Sequence, residues 1–252
     1  AAVMVLEDAG FHVHVPRQDM CCGRPLYDYG FVPTAKRWMT DILKKLEREL
    51  EAGLPIVVLE PSCAAVFRDE ATNLFPELKS AQKLCSQTYL LSEFLEKHAP
   101  KYQVPRLNRK ALLHGHCHQK AIMGMEEEAA VLKKMGIEAE QPETGCCGMA
   151  GAFGYEPGDH YKVSLGAGER VLLPKVREAG EETVIITDGF SCREQIEQET
   201  DRHAMHLADV LAMAIRHRGK SPAGRPEREM VDRERKAMRR ANVRTAATVA
   251  GI

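Results

Sequence analysis

The pattern of apolar and polar positions predicts helices that alternate with short strands. Over 33–50 the apolar residues recur at helical spacing and fall on one face of an amphipathic helix. Further helices are predicted at 1–9, from residue 64 onward, and over 118–135 and 160–179. Strands are predicted at 11–15, 55–60, 111–117, 137–141 and 183–188. This alternation favours parallel sheets covered by helices, which is an α/β fold.

Two parts of the chain carry the same motifs in the same order. A glycine that ends a helix, a Cys-Cys-Gly (CCG) motif and a Ser-Cys motif occur twice, at offsets of 125 to 129 residues. We interpret the chain as two pseudo-symmetric βα halves with parallel sheets, each with one CCG motif. The predicted domains are 1–105 and 106–217. A counterpart of the strand at 111–117 would fall before the start of the chain, so the first half is expected to be truncated at its N-terminus.

Composition indicates an ordinary globular protein. Of the 252 residues, 44% are hydrophobic and 28% are charged. No apolar run approaches the roughly 20 residues that span a bilayer, and the first residues lack the basic region and cleavage site of a signal peptide. We therefore expect a cytoplasmic protein, with attachment to the inner face of the membrane as the alternative. The chain starts without Met inside a predicted helix, so we expect it to be part of a longer polypeptide.

The C-terminal segment differs in charge. The net charge is −1, but Arg216–Arg244 carries eleven Lys and Arg against four Asp and Glu. We predict a third segment at 218–252, a basic tail that is solvated or disordered, with a helix over 226–241 outside the core. It has no aromatic residue on which a base could stack, so no nucleic-acid partner is expected. A solvated tail or a docking segment for a partner subunit is favoured.

Four cysteines are candidate ligands for a metal or an iron–sulfur cluster: Cys117, Cys146, Cys147 and Cys192. They follow predicted parallel strands, whose carboxyl ends share one edge of a sheet. Adjacent cysteines have Cα atoms about 3.8 Å apart, whereas the Cα atoms of a disulfide are usually about 4.4–6.8 Å apart. A Cys-Cys pair is therefore a poor disulfide and a good pair of metal ligands. Four thiolates suit an iron–sulfur cluster or a tetrahedral zinc, and the chain has no CxxC pair of the kind zinc sites use. The alternative is ordinary buried free cysteines.

The first CCG motif offers a smaller set of thiols. Cys21, Cys22 and Cys63 are candidates for a second cluster, a zinc site or no metal at all. Cys85 lies outside every motif and is predicted to be a packing residue.

Residues beside the cysteines are candidates for supporting roles. His114, His116 and His118 alternate in sequence, and we favour hydrogen-bond donors to the cluster or helix caps over direct ligands. The backbone N–H groups that begin at Gly148 could donate to sulfur. Four more residues lie close to the motifs, and we favour ordinary loop residues over a role in shaping the site; they are Tyr27, Asp28, Tyr155 and Glu156.

The motifs together resemble a known family. The strings CCGRPLYDYG, LEPSC, LLHGHCHQKA, GCCGMAGAFGYE and DGFSCR are similar to those of the cysteine-rich CCG-domain iron–sulfur oxidoreductases. That family includes the glycolate oxidase iron–sulfur subunit, a subunit of heterodisulfide reductase, and the iron–sulfur part of fused FAD-linked D-lactate or D-2-hydroxyglutarate dehydrogenases. The likeness is greatest to the last of these and covers about residues 1–215.

The resemblance implies a function. An FAD domain on a partner domain or subunit would oxidise a 2-hydroxy acid, and electrons would pass through a ferredoxin-like segment and a 4Fe–4S type cluster to a quinone or other acceptor. This chain would be the electron-transfer part, without catalytic residues of its own. It departs from the wider pattern at Glu60 and Gly189, where many members have the first cysteine of CxxC. A disulfide-cleaving cluster catalyst and a zinc-stabilised, non-enzymatic scaffold are the alternatives.

Overall fold

The computed structural model describes residues 1–220 and 222–250, with side chains up to residue 242. The helices, in chain order, are α1 (Ala2–Asp8), α2 (Arg24–Asp28), α3 (Val32–Lys45), α4 (Glu47–Glu51), α5 (Pro61–Ala65), α6 (Ala71–Leu74), α7 (Lys79–Gln87), α8 (Leu91–His98), α9 (Glu126–Lys134), α10 (Asp159–Glu169), α11 (Leu172–Glu178), α12 (Phe190–Glu199), α13 (Leu207–Arg216) and α14 (Glu227–Ala250). The strands are β1 (Ile56–Val57), β2 (Thr88–Tyr89), β3 (Lys110–Leu113), β4 (Glu138–Glu140) and β5 (Val184–Ile186). Single π-helical turns span Val66–Glu70 and Gln119–Met123, and a 3₁₀ turn spans Phe153–Tyr155.

The strands form two parallel sheets, which confirms the predicted α/β class. β1 pairs with β2, and β3 lies between β4 and β5. Because all three strands of the larger sheet run in one direction, their carboxyl ends share one edge. The interpretation as two pseudo-symmetric halves, with boundaries at 105 and 217, stays a prediction.

Strands β3 and β5 of the larger sheet are buried on both faces, whereas the edge strand β4 is exposed. Side chains alternate across a strand, and Ala111 and Leu113 of β3 pack with α8, α9 and α13. Leu112, between them, packs on the opposite face with α11 and α12. A separate apolar cluster joins α3, α4 and α7 in the first part of the chain. These layers hold the carboxyl edge of β3, β4 and β5 in place.

The predicted strand at 11–15 is wrong. The segment is extended but pairs with no strand among the described residues. Phe11 and Val13 pack against the core, and the Phe11 ring lies 4.8 Å from that of Phe94. The alternation therefore reflects half-burial of an extended segment rather than a place in a sheet.

The helix predicted over 118–135 is divided at Gly124, where φ is +89°, into the π-helical turn Gln119–Met123 and α9. Two other predicted helices are also interrupted. The helix predicted over 33–50 is divided at Leu46 into α3 and α4, with its apolar face continuous across the break. The helix predicted over 160–179 is broken at Val171, where φ is −148°. Both breaks let one apolar stripe follow a curved core.

The C-terminal helix starts inside the core, not outside it as predicted. Arg202 Nε donates to Glu227 Oε1 at 2.6 Å, and both side chains are almost fully buried. Met230, one turn later, is also buried, whereas residues 235–242 are exposed. Residues 251–252 of the predicted tail lie outside the described residues. No helix in the described part of the chain is long and apolar enough to cross a bilayer.

Candidate functional site

The carboxyl edge of the three-stranded sheet brings four cysteine thiols together. Cys117 follows β3, Cys146 and Cys147 lie in the loop after β4, and Cys192 lies in the first turn of α12 after β5. The Cys146 thiol contacts those of Cys117 and Cys147, and Cys147 contacts Cys192. The parallel strand order therefore delivers three distant parts of the sequence to one place.

The four thiols divide into an inner and an outer pair. Cys147 and Cys192 are buried, with 2% and 0% of their surfaces exposed. Cys117 and Cys146 are exposed. The group thus has an inner side within the core and an outer side open to solvent.

Hydrogen bonds among the thiols favour a mixture of thiol and thiolate. The contact with Cys117, and then that with Cys147, lowers the pKa of Cys146. Contact with Cys147 lowers the pKa of Cys192 well below its ordinary value. The pKa values of Cys117 and Cys147 are raised, because each donates to a neighbouring sulfur. The shifts run in opposite directions within the group, so negative charge is shared among neighbouring sulfurs.

His114 lies against the innermost thiol. Its Nδ1 is 2.6 Å from Thr144 Oγ1, which fixes the ring. The ring lies beside Cys192 and helps to lower the pKa of that thiol, after Cys147. Nε2 is buried and makes no well-formed hydrogen bond within the described part of the chain. A buried ring nitrogen without a hydrogen-bond partner among the described residues, on a ring that lies beside Cys192, fits the expectation that a histidine supports the thiol group.

His116 and His118 take different places. Their rings stack with centroids 5.2 Å apart, and His118 N donates to His116 Nδ1 at 3.2 Å. His116 is buried against Gly189, where a Cβ would lie 2.3 Å from the ring. The missing side chain at Gly189 therefore makes room for His116, which fits a supporting role.

Gly148 has a backbone that only glycine adopts without strain. Its φ is +100°, and a Cβ would lie 2.0 Å from the carbonyl oxygen of Ser164. Its N–H donates to Cys146 Sγ at 3.3 Å. The N–H of Gly148 therefore lies where it stabilises negative charge on the Cys146 sulfur.

The first CCG motif forms a second, smaller group. Cys22 Sγ lies 2.9 Å from Cys63 Sγ, and this contact lowers the pKa of Cys22 to about 7. Cys21 lies close enough for its charge to help raise the pKa of Cys63, after Cys22 and burial. Cys85 lies apart from both groups, with Sγ 3.1 Å from Arg68 O. The three predicted cysteines of the first motif are therefore neighbours.

Residues beside the two CCG motifs contact each other. Tyr29 OH donates to Glu156 Oε1 at 2.5 Å, and Tyr155 OH donates to Glu194 at 3.4 Å. The Arg24 guanidinium lies over the ring of Tyr27, 6.0 Å from the centroid of that ring. The bond between Tyr29 and Glu156 joins the segments beside the two motifs, and the sequence did not predict it.

Two features of the site were not predicted from the sequence. The first is an ion pair behind the first motif, with Arg24 Nη1 2.6 Å from Glu70 Oε1; its two side chains are only 10% and 9% exposed. Asp28 is a weaker partner of the same arginine, at 3.3 Å. The second is Glu60, noted in sequence only as a missing cysteine, whose carboxylate bonds to Phe190 N at 2.7 Å. A charged residue directly after CCG was the one available signal for the ion pair.

The donor set fits an iron–sulfur cluster. Cysteine thiolates are the usual ligands of such clusters, four to a cluster. Within the described residues, no three Cys, His, Asp or Glu side chains converge as a single metal ion requires. The four thiols, with the buried His114 nitrogen behind them, supply the cysteine donors that an iron–sulfur cluster uses.

Comparison with known proteins identifies the family. The cysteine-rich domain, CCG, matches residues 1–68 and 112–197. These two matches cover both thiol groups. The chain belongs to this family of cysteine-rich domain proteins.

The curated relatives include redox proteins. The chain is 31% identical to lactate utilization protein A of Bacillus velezensis over 227 residues, covering 84% of the chain and 90% of that protein. It is 26% identical to a subunit of the anaerobic glycerol-3-phosphate dehydrogenase of Escherichia coli, covering 84% of the chain and 54% of that subunit. It is 27% identical to D-2-hydroxyglutarate dehydrogenase of Pseudomonas putida, covering 75% of the chain but 18% of that protein. Two of these three are named as dehydrogenases or their subunits, so the comparisons support a redox role.

Proposed function

We propose that this chain is the iron–sulfur electron-transfer part of an FAD-linked 2-hydroxy-acid dehydrogenase. In this proposal Cys117, Cys146, Cys147 and Cys192 ligate one 4Fe–4S type cluster. The observation that carries it is the convergence of four cysteines, delivered by three loops, at one edge of a parallel sheet. Such a cluster, when bound, accepts and releases one electron at a time.

The chain's own residues have distinct tasks in this proposal. Cys147 and Cys192 hold the inner side, where burial keeps water away. Cys117 and Cys146 hold the outer side, where an electron-transfer partner can approach. The Gly148 N–H and the His114 ring stabilise thiolate charge on Cys146 and Cys192 respectively.

The substrate class comes from the names of the relatives, and the partners come from the family resemblance of the motifs. Lactate and 2-hydroxyglutarate, named for two of them, are both 2-hydroxy acids. Substrate oxidation would occur at FAD on a partner domain or subunit, and electrons would leave to a quinone or other acceptor. A ferredoxin-like iron–sulfur segment would lie between the flavin and this site. Cys21, Cys22 and Cys63 stay candidates for a second metal.

The test is the loss of one outer cysteine. The Cys146→Ser variant removes one ligand of the site at the second CCG motif, so the cluster EPR signal of that site should fall at least tenfold after anaerobic purification, and iron should fall by about four atoms per chain. Cys85→Ser is the matched control, because its thiol bonds only to Arg68 O among the contacts described, and it should keep both. Unchanged iron and spectra in Cys146→Ser would refute the assignment.

A further inference from the structure

One carboxylate joins the two helices that carry Cys63 and Cys192. Glu60 Oε1 accepts hydrogen bonds from Ser62 N at 3.2 Å and Ser62 Oγ at 2.8 Å, at the start of α5. Its Oε2 accepts from Phe190 N at 2.7 Å, at the start of α12. Glu60 thus binds the first turns of both cysteine-bearing helices.

Neighbouring contacts hold the same loop at two further points. His206 Nε2 lies 2.8 Å from Leu59 O, just before Glu60. Helix α5 packs against the turn Gln119–Met123, which begins two residues after Cys117. The loop that leads to Cys63 is therefore attached to elements that carry Cys117 and Cys192.

A carboxylate suits this position for physical reasons. The first N–H groups of a helix have no partner within the helix, and the positive end of the helix dipole favours an anion. An amide has only one acceptor oxygen, so glutamine could serve only one of the two helices. The charge of Glu60 lies near both cysteine-bearing helices, because its carboxylate accepts from Ser62 N, next to Cys63, and from Phe190 N, two residues before Cys192.

We propose that Glu60 is a positioning residue that couples the two cysteine groups. By fixing the Cys63 loop to the helix of Cys192, it makes the second site depend on a side chain from the first CCG segment. The negative charge of Glu60 also lowers the reduction potential of a cluster held at the second site. The redox part of this proposal rests on the proposed function, whereas the structural link does not.

Hydrogen exchange of the metal-free chain tests the link itself. In Glu60→Ala, the amide of Phe190 loses its acceptor and should exchange at least tenfold faster. Tyr29→Phe is the matched control, because it removes another hydrogen bond between the CCG segments, at an exposed position, and should leave Phe190 unchanged. Equal exchange in Glu60→Ala and the unaltered chain would overturn the proposal.

Redox titration of the chain with its cluster tests the coupling. Glu60→Gln should raise the midpoint potential while iron per chain stays near that of the unaltered chain, and Glu60→Ala should lower iron content and alter the EPR line shape. Unchanged iron, line shape and potential in both variants would reduce Glu60 to a helix cap and overturn the coupling. If the unaltered chain takes up no iron, the proposed function fails, and the exchange experiment still decides the link.

Discussion

The two CCG segments share the Cys-Cys-Gly motif, but the secondary structure that precedes each motif differs. The second follows a strand of a three-stranded parallel sheet, and loops from all three strands supply four thiols. The first follows an extended segment that pairs with no strand among the described residues, and its third thiol follows a strand of only two residues. The comparison teaches that the strand edge, more than the motif, determines how many sulfurs meet.

The residue after each motif differs as well. Arg24 follows the first CCG and forms a buried ion pair with Glu70. Met149 follows the second and packs in the apolar cluster on one face of the larger sheet. The first motif is therefore supported by charge and the second by apolar packing.

Arg24→Met tests this difference by giving the first motif the second motif's residue. It would leave the carboxylate of Glu70 buried without its cation, and breaking a buried pair in this way costs about 3–5 kcal/mol. Chemical denaturation of the metal-free chain measures the change. Asp28→Asn, which removes the more exposed partner of the same arginine, should cost at most about 1 kcal/mol. Equal losses would mean that the buried pair is not what supports the first motif.

Alanine substitutions at the glycines of the two motifs form a matched pair, with a smaller expected destabilisation than Arg24→Met. At Gly148 a Cβ would meet the backbone of Ser164 at 2.0 Å, whereas at Gly23 the nearest atom is 3.7 Å away. Both have positive φ, which costs about 1–2 kcal/mol for alanine. Gly148→Ala should therefore destabilise by about 3 kcal/mol, from strain plus overpacking, and Gly23→Ala by the strain alone. The same cost for both, in denaturant titrations, would contradict the close packing around Gly148.

A buried acid near the second site gives the smallest effect, and it depends on pH. Glu128 is buried, and burial, followed by the charge of Asp188, raises its pKa well above 4.5. The neutral amide of Gln119 donates to Glu128 Oε2 at 2.5 Å. Glu70, by contrast, is paired with the cation of Arg24.

Glu128→Gln should remove a pH dependence of stability. The folded chain keeps a proton on Glu128 that the unfolded chain releases above about pH 4.5, so stability falls as pH rises above that value. The free energy of unfolding of the Gln variant, relative to that of the unaltered chain, should rise by about 1 kcal/mol between pH 5 and 6. A constant difference across that range, by denaturation at each pH, would show that Glu128 is ionised in the folded chain.

The sequence predicted the regular elements near the second site well. The strands predicted at 111–117, 137–141 and 183–188 correspond to β3, β4 and β5. β3 and β5 are buried apolar runs, which have few other structures open to them, whereas β4 is an exposed edge strand. The strand at 11–15 failed because alternation records burial and not strand pairing. Strand β2, with two residues, was missed because so short a run carries no period.

The cysteines were also visible in sequence, but their surroundings were not. Strand order alone brings Cys117, Cys146 and Cys192 to one edge, and parallel strands made that a reasonable expectation. The bond of Glu60 to Phe190 joins residues 130 positions apart. Only the packing of α5 against the second part of the chain creates it, and no local pattern encodes such a contact.

Metal and sulfide analysis of the anaerobically purified chain tests the central claim most directly. We predict about four iron atoms and four sulfides per chain from the second site, or up to twice that if the first site also holds a cluster. Zinc without iron or sulfide would contradict this prediction and would favour a zinc-stabilised scaffold.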